Sequence, residues 1–235
     1  MLASALFAGF AAGLIAAVLQ FAFVQPVLLQ AELYESGELV HFGADADATA
    51  GSDQGEDDRA AAQDDGDGAS GLARNGLSVV FSALIYAGYG LVLVSGFALA
   101  ARHGLRITAR SGLLWGVAGF VAAQLAPAAG LAPDLPGSAA ADVVARQVWW
   151  FGTVAASALG LALVAFGKGW AHWGIAAVLL LAPHVIGAPL PDTLSGVAPP
   201  ELAGEFAARA LSVGLAAWAV LGLLAGHFWS REPLV

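Results

Sequence analysis

Long charge-free stretches alternate with short polar connections along this chain of 235 residues. The hydrocarbon core of a bilayer is about 30 Å thick, so a helix rising about 1.5 Å per residue crosses it in about 20 residues. Six stretches approach or exceed that length, at residues 2–24, within 76–101, and at 112–129, 143–166, 170–187 and 207–228. The pattern predicts an all-α integral membrane bundle of about six transmembrane helices. Only residues 167–169 separate the fourth stretch from the fifth, which predicts a tight hairpin there.

Composition supports a lipid-facing surface. Apolar residues make up 59% of the chain and charged residues only 11%, whereas an ordinary soluble domain is about 25% charged. Residues 1–31 carry no charge, so they lack the basic start of a cleaved signal peptide, and we expect them to be retained as a membrane span. The chain has no cysteine, which excludes disulfides and thiolate metal sites.

One segment differs in kind from the rest. Residues 45–69 contain nine acidic residues, one arginine and no aromatic residue. Such a segment buries too little apolar surface to offset the entropy of ordering, so a long, disordered acidic loop is expected. The predicted organisation is therefore a first transmembrane helix with an outer extension at 1–35, an acidic extramembrane loop at 36–75, and a membrane bundle of five further helices at 76–235.

Two explanations of the acidic loop are compatible with each other. Its field could concentrate cations near the membrane, within a Debye length of about 8 Å at physiological salt. Alternatively, the acidity is an adaptation to high external salt. A single lysine against 18 acidic residues fits such a halophilic protein.

Basic residues predict the orientation in the cell membrane. Arg102, Arg106, Arg110, Lys168 and Arg231 all fall on one side of the six-span arrangement. Basic residues are enriched in cytoplasmic loops. We therefore expect both termini in the cytoplasm and the acidic loop outside.

The same topology gathers polar residues from five helices at the outer end of the bundle. Ionisable groups in hydrocarbon cost several kcal/mol unless they face the bundle interior or water. His184 closes an otherwise apolar helix, and neutral imidazole binds borderline divalent metals. Glu32 and Glu35 share one face of a continued helix. Together with Asp142, these residues form a predicted metal site. Taken alone, the two glutamates are better explained as a solvated helix end, and His184 is better explained as an interfacial histidine or one that hydrogen-bonds to a carbonyl.

Five other outer residues favour a structural role. Asp142 and Arg146 are four residues apart, as are Glu205 and Arg209, which is the favourable order for helical ion pairs. Gln147 and Glu201 add to the same polar cluster. The two pairs are better explained as structural ion pairs than as metal ligands, and they are placed to neutralise a polar cavity between the fourth and sixth spans.

Several segments together resemble the CbtA family of predicted cobalt transporter subunits. They are LLQAELYE after the first span, APAAGLAPDLPGSAAADVVARQVWW, and APHVIGAP followed by PPELAGEF. The resemblance covers nearly the whole chain apart from the acidic loop. Many relatives carry a histidine-rich stretch in the first outer loop, where this chain has only His41 and many carboxylates. The ionisable or amide positions that the resemblance matches are Glu32, Tyr34, Glu35, Asp142, Arg146, Gln147, His184 and Glu201.

The resemblance implies a membrane subunit of a cobalt(II) uptake transporter that supplies cobalt for cobalamin synthesis. It also implies a small single-span partner subunit of the CbtB type, while homo-oligomerisation stays open. The cobalt ion would be the transported substrate, and no resident cofactor and no nucleic-acid partner are expected. The alternative is a non-transporting membrane scaffold, or a metal-delivery partner of a separate permease. No nucleophile–base set and no P-loop is visible, so enzymatic activity is not expected.

Overall fold

A computed structural model describes residues 2–40, 67–193 and 196–231, and the side chains of all of these except residues 67–74. Eight α-helices and two short π-helical segments follow one another in the described ranges. The α-helices are α1 (Leu2–Leu19), α2 (Gln25–Glu35), α3 (Asp67–Arg102), α4 (Ala109–Phe120), α5 (Ala126–Ala128), α6 (Val143–Phe166), α7 (Trp170–Ile186) and α8 (Pro200–Arg231). The first π-helical segment is Gln20–Val24 and the second is Val121–Leu125.

The predicted all-α membrane fold is confirmed. In the described ranges, extended pairing is limited to one isolated bridge between Ser138 and Gly196. Five helices are long and apolar enough to cross a membrane, namely Leu2–Glu35, Asn75–Arg102, Ala109–Ala128, Val143–Phe166 and Pro200–Arg231. The sixth apolar helix, α7, has 17 residues, or about 25 Å at 1.5 Å per residue, which is the lower limit for a span.

The first helix continues through α2 to Glu35, as the continued helix predicted for Glu32 and Glu35 requires. It passes Pro26 because the π-helical turn Gln20–Val24 directly before it widens the backbone, whereas a proline ring inside a regular α-helical turn would clash with it. Helix α3 begins at Asp67, inside the range predicted as loop. The rest of that loop between residues 41 and 66, including most of the acidic segment, lies outside the described residues.

Glycines set the closest helix contacts. Gly9 and Gly13 of α1 lie against the backbone of Ala87 and Ala83 on α3. Gly112 and Gly116 of α4 face Gly222 and Gly226 of α8 in the same manner; a Cβ at Gly112 would lie 2.8 Å from the Cα of Gly226. Lipid offers little hydrophobic drive for helix association, so such close backbone packing supplies much of the attraction. The GxxxG pairs that begin at Gly9, Gly112 and Gly222 therefore all lie at helix contacts.

The two π-helical segments have the same backbone arrangement. Each is followed, two residues after it ends, by a proline: Pro26 after Val24 and Pro127 after Leu125. The backbone N–H that closes each segment bonds five residues back, from Gln25 to Gln20 and from Ala126 to Val121. The wide turn leaves carbonyl oxygens open to other partners. One of them, that of Phe23, accepts a hydrogen bond from Arg209 on α8.

One end of the bundle is capped by a small apolar cluster. Val27 and Ala31 of α2 pack with Leu135 of the 129–142 connection and Leu202 of α8. The bridge between Ser138 and Gly196 ties the two connections together beside this cluster. We call this the α2 end of the bundle; it is the end predicted to lie outside.

Candidate functional site

The α2 end gathers most of the polar side chains that the sequence analysis selected. The helix starts of α6 and α8 and the helix end of α7 lie there, as shown by contacts between Trp149 and Pro183 and between Arg209 and Phe23. The predicted grouping of polar residues from several helices at one end is therefore observed. The side chains do not form a single cluster, however: Arg146 and Gln147 line one cavity, Glu32 lines a second, and the other predicted site residues line neither.

The larger cavity, which we call the Arg146 cavity, has a volume of about 630 Å³ and is open to its surroundings. It lies between the second π-helical segment, the first turns of α6, and α8. Its lining contains hydrogen-bonding side chains set among aromatic and aliphatic ones. Those that matter below are Tyr89, Gln124, Asp134, Arg146, Gln147 and Trp150.

Arg146 does not pair with Asp142, which corrects the predicted helical ion pair. Its Nη2 instead donates to Asp134 Oδ2 at 3.0 Å. The Asp142 carboxylate accepts from the backbone N–H of Ala145 at 2.9 Å and caps α6. Asp142 is the N-cap residue, where a short acceptor side chain satisfies an unpaired helix N–H. The capping role removes it from reach of the arginine one turn further on.

Gln124 is positioned by the second π-helical segment. Its side chain hydrogen-bonds with that of Tyr86 on α3 and packs directly on Gly214 of α8, where any larger residue would collide with the amide. A partly buried amide in an apolar bundle needs such partners. Gln124 also lines the Arg146 cavity, so the π-helical turn places one polar group on the cavity wall.

The smaller cavity, which we call the Glu32 cavity, has a volume of about 230 Å³. It lies between the first long helix and the start of α3. The polar residues in its lining that we use are Gln20, Gln25 and Glu32 of the first helix and Asn75 and Ser82 of α3. They offer one carboxylate together with amide and hydroxyl oxygens, which are the ligands that hard and borderline cations accept.

The predicted pair of Glu205 and Arg209 is confirmed. Arg209 Nη2 donates to Glu205 Oε1, and Nη1 donates to the carbonyl oxygen of Phe23 at 2.9 Å. Glu201 lies in the first turn of α8, where a carboxylate is stabilised by the positive end of the helix dipole. Neither glutamate lines the Arg146 cavity or the Glu32 cavity, so both have structural explanations.

His184 and Glu35 face other neighbours than the cavities. The ring of His184 packs edge-on against Trp149, with centroids 6.2 Å apart, and the histidine is exposed. Glu35 lies beside Gly137 of the 129–142 connection. Although Glu32 and Glu35 are three residues apart on one helix, only Glu32 lines the cavity between the first helix and α3.

The four predicted metal ligands are thus distributed over the α2 end. In the part of the chain that the structure describes, no group of three or more histidine, aspartate and glutamate side chains comes together to hold a metal ion. The metal site of His184, Glu32, Glu35 and Asp142 stays a prediction, and Glu32 is the member with the most suitable surroundings.

Two residues of the Arg146 cavity are not among the predicted site residues. Asp134 is not predictable from helical spacing, because its partner is twelve residues away, across an irregular connection, rather than one helical turn away. Tyr89 lies inside a charge-free stretch, where no charge marks it. The available signal was its phenol, a polar group in an apolar helix, which in a membrane protein indicates a facing cavity or partner.

Comparison with known proteins agrees with this architecture. The family model described as "Probable cobalt transporter subunit (CbtA)" matches residues 1–230, nearly the whole chain. Neither a comparison with curated proteins nor one with solved structures yields a match. The match includes the helices that form both cavities and the connections that carry their polar residues. The chain therefore belongs to the CbtA family of probable cobalt transporter subunits.

Proposed function

We propose that this chain takes up cobalt(II) across the cell membrane, as the membrane subunit of a transporter that supplies cobalamin synthesis. The observation that carries the proposal is the Glu32 cavity. It holds one carboxylate among neutral oxygen donors at the end of a membrane-spanning bundle. A cation that must enter and leave again requires a few weak ligands rather than a tight cage.

The size of the Glu32 cavity supports a hydrated ion. A cation with six bound waters, at about 30 Å³ each, occupies about 180 Å³, and the cavity has about 230 Å³. Metal-bound waters donate hydrogen bonds, so the amide oxygens of Gln20 and Gln25 and the Glu32 carboxylate are suitable acceptors. The proposal retains His184, Glu35 and Asp142 as further contributors to cation capture at the α2 end.

The proposal extends to partners and placement. A subunit works with other subunits, and we propose a small single-span CbtB-type partner, with a homo-oligomer as a further option. We also propose that the termini are cytoplasmic and the acidic loop external. We propose as well that the acidic composition of the protein is an adaptation to high external salt.

The test is uptake of radiolabelled cobalt by cells that express the chain, supplied both as the free ion and in citrate-buffered medium. We expect Glu32→Gln to lower the initial rate at limiting cobalt about tenfold, because the neutral amide loses the charge that attracts the cation. Glu38→Gln is the control. It removes the same charge at an exposed position, six residues after Glu32 and outside the cavity, and should leave the rate unchanged. No uptake in either medium, at normal membrane levels, would instead favour a scaffold or metal-delivery role.

A further inference from the structure

The Arg146 cavity has a different chemistry from the Glu32 cavity. Arg146 has five N–H donors, and within the described residues its guanidinium has one protein acceptor, Asp134 Oδ2. The arginine side chain is 32% exposed and lines the open cavity, so its remaining donors are accessible to a ligand there. A guanidinium with unused donors favours an oxyanion, above all a planar carboxylate.

The walls and size of this cavity suit a small organic molecule. Its volume of about 630 Å³ lies within the range of about 300–1,000 Å³ typical of small-molecule sites. Tyr89 and Trp150 provide aromatic surface, and Gln147 provides an amide. The structure shows no protein partner for the Gln147 side chain within the described ranges, so its two donors and its acceptor are available to a ligand.

The two cavities lie on neighbouring positions of α8. Phe206 lines the Glu32 cavity, and Ala210 lines the Arg146 cavity. Residues four apart on a helix are about 6 Å apart. One turn of α8 therefore separates the Glu32 cavity, which suits a cation, from the Arg146 cavity, which suits an oxyanion. The Glu205–Arg209 ion pair belongs to the same turn.

We infer that the Arg146 cavity binds a small soluble polycarboxylate, the class of chelator that carries a divalent cation in solution. Arg146 holds a carboxylate, and Gln147 hydrogen-bonds to it. This inference rests on the proposed function for the identity of the cation, but the carboxylate site itself requires no metal. Asp134 competes with the ligand for Arg146 and repels free anions, so a chelate whose charge is partly cancelled by its metal should bind more tightly than the metal-free acid.

The test is binding of citrate to the purified full-length chain in detergent, by titration calorimetry, with citrate alone, cobalt–citrate and cobalt chloride as separate ligands. We expect both citrate forms to bind and cobalt–citrate to bind more tightly. Arg146→Gln should weaken citrate binding tenfold or more, as expected for loss of a charged hydrogen-bond donor. Arg146→Lys, which keeps the charge and loses the planar fork, should be intermediate.

Two further variants separate binding from mere structural support. Asp134→Asn releases Arg146 from its pair and should tighten binding of metal-free citrate, whereas a purely structural ion pair would give weaker or unchanged binding. Arg110→Gln removes an exposed arginine in the first turn of α4, outside the cavity, and should have no effect.

Three outcomes would overturn the inference. These are no binding of either citrate form, equal affinity in wild type and Arg146→Gln, or protection of the cavity in nanodiscs by anionic lipid but not by citrate. Failure of the proposed cobalt transport would look different, since cobalt uptake would then be absent while citrate still bound. Conversely, uptake that depends on Glu32 without any citrate binding would leave the transport proposal standing and remove only this site.

Discussion

Arg209 on α8 donates a hydrogen bond from Nη1 to the backbone carbonyl oxygen of Phe23 at 2.9 Å, across 186 positions of sequence. Phe23 belongs to the first π-helical segment, whose wide turn leaves carbonyl oxygens open. The Glu205 carboxylate accepts a hydrogen bond from Nη2 of the same guanidinium. A single arginine thus joins the irregular turn of the first span to the last helix, at the level of both cavities.

We expect Arg209→Gln to destabilise the protein by about 1.5–3 kcal/mol, because a charged donor is lost and both Glu205 and the Phe23 carbonyl lose their partner. Thermal unfolding of the purified protein in detergent measures the effect. Arg106→Gln is the matched control, since Arg106 is exposed in the connection between α3 and α4. Equal melting temperatures for the two variants would show that the contact with Phe23 is incidental.

The glycine contacts predict a contrast between two alanine substitutions. Gly112→Ala places a Cβ 2.8 Å from the Cα of Gly226, and backbone cannot move aside cheaply, so we expect a loss of about 1–3 kcal/mol. Gly152→Ala on α6 meets nothing within 4 Å and should be neutral or slightly stabilising. Monodisperse yield after solubilisation and thermal unfolding provide the readouts. If both variants behave alike, close packing of α4 on α8 is not what holds these helices together.

One indole of α6 contacts the end of α7. Trp149 Nε1 donates to the carbonyl oxygen of Pro183 at 3.2 Å, and its ring packs against His184. Trp149→Phe keeps an aromatic ring and removes the hydrogen bond, so we expect a loss of about 1 kcal/mol and faster hydrogen exchange in α7. Trp173→Phe, at a position that is 61% exposed, should change neither. Unchanged exchange in both would indicate that apolar packing alone holds α7.

The chain has no cysteine, so single cysteines report topology directly. We expect Ser36→Cys and Asp192→Cys to react with an impermeant maleimide on intact cells, and His103→Cys and Lys168→Cys to react only after lysis. The decisive comparison is between positions 168 and 192, because α7 lies between them and is short for a span. Labelling of both from the same side would show that α7 does not cross the membrane.

The remaining predicted metal ligands need variants that keep their structural roles. Asp142→Asn retains an N-cap acceptor for Ala145 and removes the charge, and His184→Gln retains a polar side chain beside Trp149. If these residues contribute to cation capture, initial cobalt uptake at limiting metal should fall severalfold in each. Wild-type rates in both, at matched membrane levels, would leave them with capping and packing roles alone.

The sequence by itself determined the membrane class of the fold. Charge-free stretches predict helices because no other backbone arrangement of single segments satisfies its hydrogen bonds in lipid. The GxxxG pairs that begin at Gly9, Gly112 and Gly222 can be recognised in the sequence as sites of close helix contact, because two glycines one turn apart let helix backbones approach. The Glu205–Arg209 pair was predictable for the same reason of local geometry, since helical spacing alone brings the two side chains together.

Only the tertiary structure decided which polar groups meet. Arg146 pairs with Asp134 rather than with Asp142, because the irregular 129–142 connection brings Asp134 back over the first turn of α6 while Asp142 is engaged by the helix N-terminus. Arg209 reaches Phe23 because a π-helical turn frees a carbonyl, and nothing in the local sequence specifies where α8 will lie. The division of the α2 end into a carboxylate cavity at Glu32 and a guanidinium cavity at Arg146 arises in the same manner. Side chains from separate helices converge according to packing, which depends on the whole chain, and not on spacing within any one segment.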